Sequence, residues 1–323
     1  MSENRITEKS KDEASKIEVR EFETSKFETS KGHLAAIICN ILYGLTMNIT
    51  KSLYASSWMT PMGYSFVRIL FGLVLYWILS LFTAKEKIAP RDLVIILTAG
   101  FLGMVVTQIV FSVGLKLISP VTMSLIGAMF PIVVLILSVI FAMDTFTLPK
   151  TIGVVIGIAG AAIVVLGNRD GGLSSASIVG IILAFISVLA QAIYYIIMKK
   201  VSGKYSPVTM MKWMFMVGLI FLAPLCLREL PSQRIFSREV TLLPVLQLAF
   251  ALIFGCALAV FLLPVALKRI TATAASMYNN LQPLVASTAA IIIGQDFFTW
   301  DKPLALLLII GGVFLVTYKK PLR

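Results

Sequence analysis

Residues 93–166 of this chain recur at 245–318 without a gap. The offset of 152 pairs Gly103 with Gly255, Lys116 with Lys268, Ser124 with Ser276, Pro131 with Pro283, Asp144 with Asp296, Lys150 with Lys302 and Gly160 with Gly312. Apolar segments resemble one another through composition alone, but prolines, aspartates and lysines are rare in them, and here they match. The chain therefore holds an internal repeat, and its fold must contain two halves built alike.

The solvent of that fold follows from composition. Hydrophobic residues make up 58% of the chain and charged residues 14%, with a mean hydropathy of +0.93, whereas a soluble domain carries about 25% charged residues. Apolar stretches long enough to cross a bilayer, which takes about 20 helical residues, lie near 34–54, 62–82, 92–115, 120–142, 149–167, 177–198, 208–227, 242–266, 272–293 and 303–318. They are continuous rather than alternating, which selects helices over barrel strands. The first 32 residues are rich in both charge signs and poor in apolar periodicity, so a disordered tail is expected there. Within it Phe-Glu-Thr-Ser-Lys occurs twice in tandem, at 22–26 and 27–31.

The first two stretches repeat as well. An offset of 146 pairs Pro61 with Pro207 and Gly72 with Gly218, and the offset grows by six before the eighth stretch. Each half thus has five stretches, an odd number, so the second half enters the membrane from the opposite face. The expected fold class is an all-α membrane protein, ten transmembrane helices in two inverted five-helix repeats (5+5) around a central cavity. Its parts are a cytoplasmic tail at 1–32, a first repeat at 33–167 and a second at 177–320. Repeats of this kind are the architecture of secondary transporters, in which each half can adopt the other's conformation.

A formal charge of +12 invites a nucleic-acid partner, but its distribution excludes one. With the N-terminus inside, inner loops and the C-terminal end hold twelve Lys or Arg, among them Lys85, Arg91, Lys199, Lys204 and Arg269, and outer loops hold six. That asymmetry is the positive-inside rule, which places both termini in the cytoplasm of a multi-pass protein of the plasma membrane, the inner membrane in a bacterium. Cys39, Cys226 and Cys256 lie in apolar spans without metal-ligand spacing and read as packing residues. No cofactor is implied.

Tyr43 and Gly44 early in the first stretch, Pro61 with Arg68 opening the second, Ser119 to Pro131 echoed by Thr271 to Pro283, and the glycine-spaced fifth and tenth stretches together make the chain similar to the drug/metabolite transporter superfamily, specifically its ten-helix EamA type. The resemblance covers about residues 33–320. It implies a 5+5 bundle that moves a small metabolite, and it supplies no substrate. The related four-helix exporters use a carboxylate in their first helix, and this chain has none there.

Polar groups in hydrocarbon are costly, so they mark cavities or helix contacts. Asn40, Tyr43 and Asn48 lie along one stripe of the first stretch; they serve either the cavity or neighbouring helices. Arg68 stands seven residues beyond Pro61, about 10 Å into its helix, where it attracts an anionic substrate group or packs against a polar partner. Lys51 lies nearer the helix end and can snorkel. Gln108 is mid-span, and the sixth stretch supplies Gln191 and Tyr194. The ninth stretch has the densest polar run, Tyr278, Asn279, Asn280 and Gln282, ending at Pro283. Pro131 and Pro283 are the expected helix breaks, since proline frees the carbonyl four residues upstream. The lone His33 is expected at the solvated inner boundary.

All sixteen acids fall in the tail, in loops or at span ends, so a buried carboxylate does not couple transport. No Gly-x-x-x-x-Gly-Lys-Ser/Thr phosphate loop occurs, which excludes ATP-driven transport by this chain. The expected function is alternating-access export of a small metabolite bearing an anionic group, amino acids included, and not catalysis. The partners are that small-molecule substrate and the lipid bilayer. A receptor or scaffold, and a lipid-modifying enzyme, are the rival readings.

Overall fold

Every regular element in the described residues is helical. The structure is a computed structural model that describes residues 2–117, 126–127, 129–167, 178–237, 239–292 and 300–317. The start of the fourth stretch at 118–125 and the loop at 293–299 that carries Asp296 lie outside that set, as do the side chains of residues 1–26 and of Lys51.

The chain runs α1 (Ser2–Ala55), α2 (Pro61–Leu81), α3 (Pro90–Gly100), a π segment (Phe101–Val106), α4 (Thr107–Leu117), α5 (Phe130–Ile140), α6 (Leu148–Gly167), α7 (Ile178–Val201) and α8 (Pro207–Cys226). After two short 3₁₀ turns come α9 (Leu242–Phe250), a second π segment (Ala251–Leu258), α10 (Ala259–Arg269), α11 (Ala272–Met277), a 3₁₀ turn (Tyr278–Asn280), α12 (Leu281–Ile292) and α13 (Asp301–Thr317). Six of the described helical spans are long and apolar enough to cross a membrane: Phe27–Ala55, Pro61–Leu81, Pro90–Phe111, Ile178–Val201, Pro207–Cys226 and Leu242–Arg269. Phe130–Ile140, Leu148–Gly160 and Pro303–Val316 are apolar but shorter. Leu81, Leu148, Ile178 and Leu307 are largely exposed, so these helices are apolar outside as well as inside, as lipid-facing helices are.

The repeat is visible in how helices begin. Thr60 and Ser206 are the N-caps of α2 and α8; their hydroxyls accept from Gly63 N at 3.1 Å and Thr209 N at 3.2 Å, and Pro61 and Pro207 follow. A hydroxyl satisfies an orphan amide there, and proline lacks the N–H that would otherwise go unpaired. The loops tie these caps to the other half. Thr60 N donates to Gln233 Oε1 at 2.6 Å, while Ser206 N donates to the Glu86 carboxylate at 3.0 Å. Asp92 extends the second of these ties by accepting from Lys204 and from Tyr205 Oη.

Helix breaks fall at equivalent places too. Pro131 is the second residue of α5, after a turn in which Met129 N donates to Ile126 O at 3.0 Å. Pro283 is the third residue of α12, directly after the 3₁₀ turn. Both positions lie in a first turn, where a missing N–H costs little. The two π segments contain the repeat mates Gly103 and Gly255. A Cβ on Gly103 would lie 2.8 Å from the Tyr194 ring, and one on Gly255 would lie 2.9 Å from Thr46 Cγ2. Sequence patterning did not anticipate the π geometry.

Two of the helix pairs that join the halves are made by repeat-equivalent helices. Gly72 lies under the Phe215 ring and Gly218 faces Ile69; adding 146 to 69 and 72 gives 215 and 218, so this is one contact made twice. In α6 and α13 a Cβ on Gly312 would lie 2.5 Å from Gly153 O, and one on Gly160 would lie 2.8 Å from Ala305 O. Those residues are mates at offset 152. In both pairs the contacting numbers rise in one helix as they fall in the other, so each pair is antiparallel. Small residues let the backbones approach where no hydrophobic force drives helices together.

Candidate functional site

Arg68 is the unusual residue of the interior. It sits on α2, whose Tyr64 and Ser65, one turn earlier, share its face. Its Nη2 donates to Gln108 Oε1 at 3.4 Å, Gln108 Nε2 donates to Ser65 Oγ at 3.0 Å, and Ser65 Oγ donates to Pro61 O at 2.8 Å. Arg68 Nε is buried with no acceptor, and among the described residues no carboxylate lies within ion-pair distance of it. The guanidinium has five N–H donors in a fixed fork, and among the described residues its side-chain hydrogen-bond partner is a neutral amide at long range. Tyr43, Tyr54, Tyr64 and Tyr194 are within electrostatic reach, so the surroundings are phenolic rather than acidic. A guanidinium so placed has the donor geometry to bind a planar or tetrahedral anion.

A second polar set joins α1 to the ninth stretch. Tyr278 Oη lies 2.9 Å from His33 Nδ1, Gln282 Nε2 donates to Asn40 Oδ1 at 2.7 Å, and Asn48 Nδ2 donates to Ala286 O at 2.6 Å. Asn40 Nδ2 returns to Ala36 O at 2.8 Å in its own helix. Gly44 meets the same neighbour, Val285 and the Gln282 carbonyl. This is a seam of three hydrogen bonds down one helix pair. Repeat arithmetic places its mates at Val179 with Ile126, Ile186 with Phe130 and Tyr194 with Val134, so only one of the two equivalent seams is polar.

The structure thus divides the residues singled out in the sequence. Arg68 and Gln108 come together, as do Asn40 and Gln282. Asn40 and Asn48, given a helix-contact alternative in the sequence, make hydrogen bonds to the facing helix, and Tyr278 and Gln282 belong to the other side of that seam. The 3₁₀ turn fans the polar run three ways: Tyr278 to His33, Asn279 to Tyr195, whose Oη donates to Asn279 Oδ1 at 3.1 Å, and Asn280 to α6. Asn280 is 3% exposed, its Nδ2 lacks a partner, and it packs at Gly157. Tyr194 is buried with its ring on Gly103 and edge-to-face with Tyr195. Gln191, one turn before Tyr195, is partly buried. Tyr43 is partly buried near Arg68. His33, expected at a solvated boundary, is half-buried against Tyr278, edge-to-face at 5.9 Å.

Sequence reasoning missed Ser65 and Tyr64 as neighbours of Arg68; their spacing of three and four residues was the available signal. The acids take structural roles where they are described. Asp144 pairs with Lys150, closing the turn before α6, and Asp92 pairs with Lys204 at 3.1 Å.

Known proteins resemble this chain over most of its length. The EamA-like transporter family matches it twice, at residues 30–166 and 178–318. "Uncharacterized transporter YvbV" of Bacillus subtilis is 23% identical over 86% of this chain and 89% of its own length. "Uncharacterized transporter YyaM" of the same organism is 22% identical over 84% and 89%. An "Uncharacterized transporter" of Archaeoglobus fulgidus is 29% identical over 56% of this chain, and the match spans 62% of that relative. A crystal structure with 17% sequence identity superposes with a TM-score of 0.72, covering 89% of this chain and 96% of that one, which shows a shared fold. Two copies of the family's domain, apolar helices long enough to cross a bilayer and relatives named as transporters lead to one conclusion: this integral, multi-pass membrane protein belongs to the EamA-like transporter family of the drug/metabolite transporter superfamily.

Proposed function

We propose that this chain is a secondary carrier that exports a small metabolite with an anionic group, amino acids included, by alternating access. In this reading ten spans form two inverted five-helix repeats, 33–167 and 177–320, around a central cavity, with both termini and the tail at 1–32 in the cytoplasm of the plasma membrane. The antiparallel contacts between mate helices, Gly72 with Phe215 and Gly153 with Gly312, support the inversion. The carrying observation is Arg68, a guanidinium inside the bundle with a buried unpartnered Nε and, among the described residues, no carboxylate beside it. A buried charge without a counter-ion costs several kcal/mol, and a substrate anion would offset that cost.

Transport is facilitated, or coupled through groups other than a carboxylate held mid-membrane, since Asp92 and Asp144 are engaged in ion pairs at helix ends. Flux into proteoliposomes tests the reading. Arg68→Ala is expected to lower flux of an anionic substrate about tenfold or more, the factor for 1.4 kcal/mol, and to spare a neutral one. Equal loss for both makes Arg68 a packing residue. No flux of any amino acid, nucleoside or sugar by the wild type would favour a receptor or scaffold.

A further inference from the structure

The outer face of the α2/α8 pair carries a feature that substrate transport does not use. Leu73, Val74, Trp77 and Ile78 of α2 and Met216 of α8 line an open apolar groove of about 470 Å³, in the range of small-molecule sites, about 300–1,000 Å³. Val74 is 50% exposed and Ile78 49%. At one end of the groove two indoles, Trp77 and Trp213, meet edge-to-face at 6.0 Å, and the ammonium of Lys212 lies over both, 5.4 Å and 5.7 Å from the ring centroids.

Lys212 is five residues beyond Ser206's neighbour Pro207, and Trp77 is four residues before Leu81, where α2 ends. Because the helices are antiparallel, both positions fall at the same membrane boundary, the level at which tryptophan and lysine anchor to headgroups. The cation is held in place by the rings, yet among the described residues no carboxylate pairs with it, and the adjacent Trp213 Nε1 is buried without an acceptor. An ammonium with no carboxylate beside it among the described residues, at the end of a groove with only apolar walls, complements a molecule with a phosphate head and a hydrocarbon tail. The repeat sharpens this: the mates of Lys212, Trp213 and Trp77 are Phe66, Val67 and Ala223. The arrangement exists at one end of the pair only and is therefore not a by-product of the duplicated fold.

We propose that the α2/α8 face binds one anionic phospholipid, its acyl chain along Leu73, Val74, Ile78 and Met216 and its phosphate on Lys212. The lipid lies in the leaflet on the side of the 202–206 loop. A zwitterionic headgroup brings its own ammonium toward Lys212 and is disfavoured by like-charge repulsion.

Native mass spectrometry of the full-length, delipidated protein, supplied with phosphatidylglycerol or phosphatidylcholine, tests this. The expected result is one phosphatidylglycerol retained per chain, in preference to phosphatidylcholine. Lys212→Gln should weaken that retention about five-fold, corresponding to about 1 kcal/mol for one lysine at an anionic surface, whereas Lys200→Gln, whose ammonium stacks on Phe141 alone at 4.8 Å, should leave it unchanged. If Lys212→Gln fails to fold, Val74→Trp, which fills the groove from an exposed position, should abolish retention instead. Equal retention of both lipids, retention untouched by Lys212→Gln or Val74→Trp, or a dimer that carries no lipid would overturn the proposal. Transport assays do not enter this test.

Discussion

Asn40 has one amide oxygen and one amide nitrogen, and the fold uses both, for Gln282 and for the Ala36 carbonyl. In hydrocarbon an unsatisfied amide has no water to turn to, so such pairs persist, although each is worth only about 0.6–2 kcal/mol. A double-mutant cycle of Asn40→Ala and Gln282→Ala, read by chemical denaturation in bilayer-like micelles, should give a coupling of about 0.6 kcal/mol or more; strict additivity would mean the two amides do not support each other. The sequence identified these residues as polar and mid-span, and left open whether they face a cavity or a helix. That ambiguity is physical. Spacing fixes the face on which a side chain stands, whereas its partner depends on the rotation of the facing helix, as Tyr278, Asn279 and Asn280 illustrate by turning to three different neighbours. Arg68 was more legible, because a guanidinium about two turns beyond Pro61 has few ways to exist.

Among elements, the α6/α13 pair is the most tightly specified. Gly311 and Gly312 are adjacent, but a Cβ on Gly311 would meet nothing within 4 Å while one on Gly312 would lie 2.5 Å from the Gly153 carbonyl. Backbone cannot yield as a side-chain tip can, so Gly312→Ala should cost about 1–3 kcal/mol and lower the melting temperature, while Gly311→Ala should be neutral. Comparable melting of both variants would contradict the packing. The proline-opened start of α2, the breaks at Pro131 and Pro283 and the repeat itself were readable from residue types, because they rest on local chemistry. The π segments were not: a π turn accommodates a facing residue, here Tyr194 or Thr46, and that residue is remote in sequence. The polar α1/α12 seam and its smooth mate at Ile126, Phe130 and Val134 differ in the same way, legible as an asymmetry of composition and interpretable only once the partners are known.

At the scale of the whole molecule, two ties link the halves at opposite ends of the α2/α8 pair, Gln233 on Thr60 and Glu86 on Ser206. If access alternates, each must release in turn. Replacing Glu86 and Ser206 by cysteine and oxidising them should arrest flux in proteoliposomes, with recovery on reduction; undiminished flux in the cross-linked protein would show that this end does not move. The reciprocal glycine contacts carry a further consequence. Gly153 with Gly312 and Gly160 with Ala305 are one contact written twice, so in an alternating carrier the tighter copy would become the looser. A methyl group added at Gly160 and one added at Gly312 would then act as opposite weights on a single balance, each tilting the resting population toward the state that relieves it, and the chain's two-fold ancestry would become a dial on which way it faces at rest.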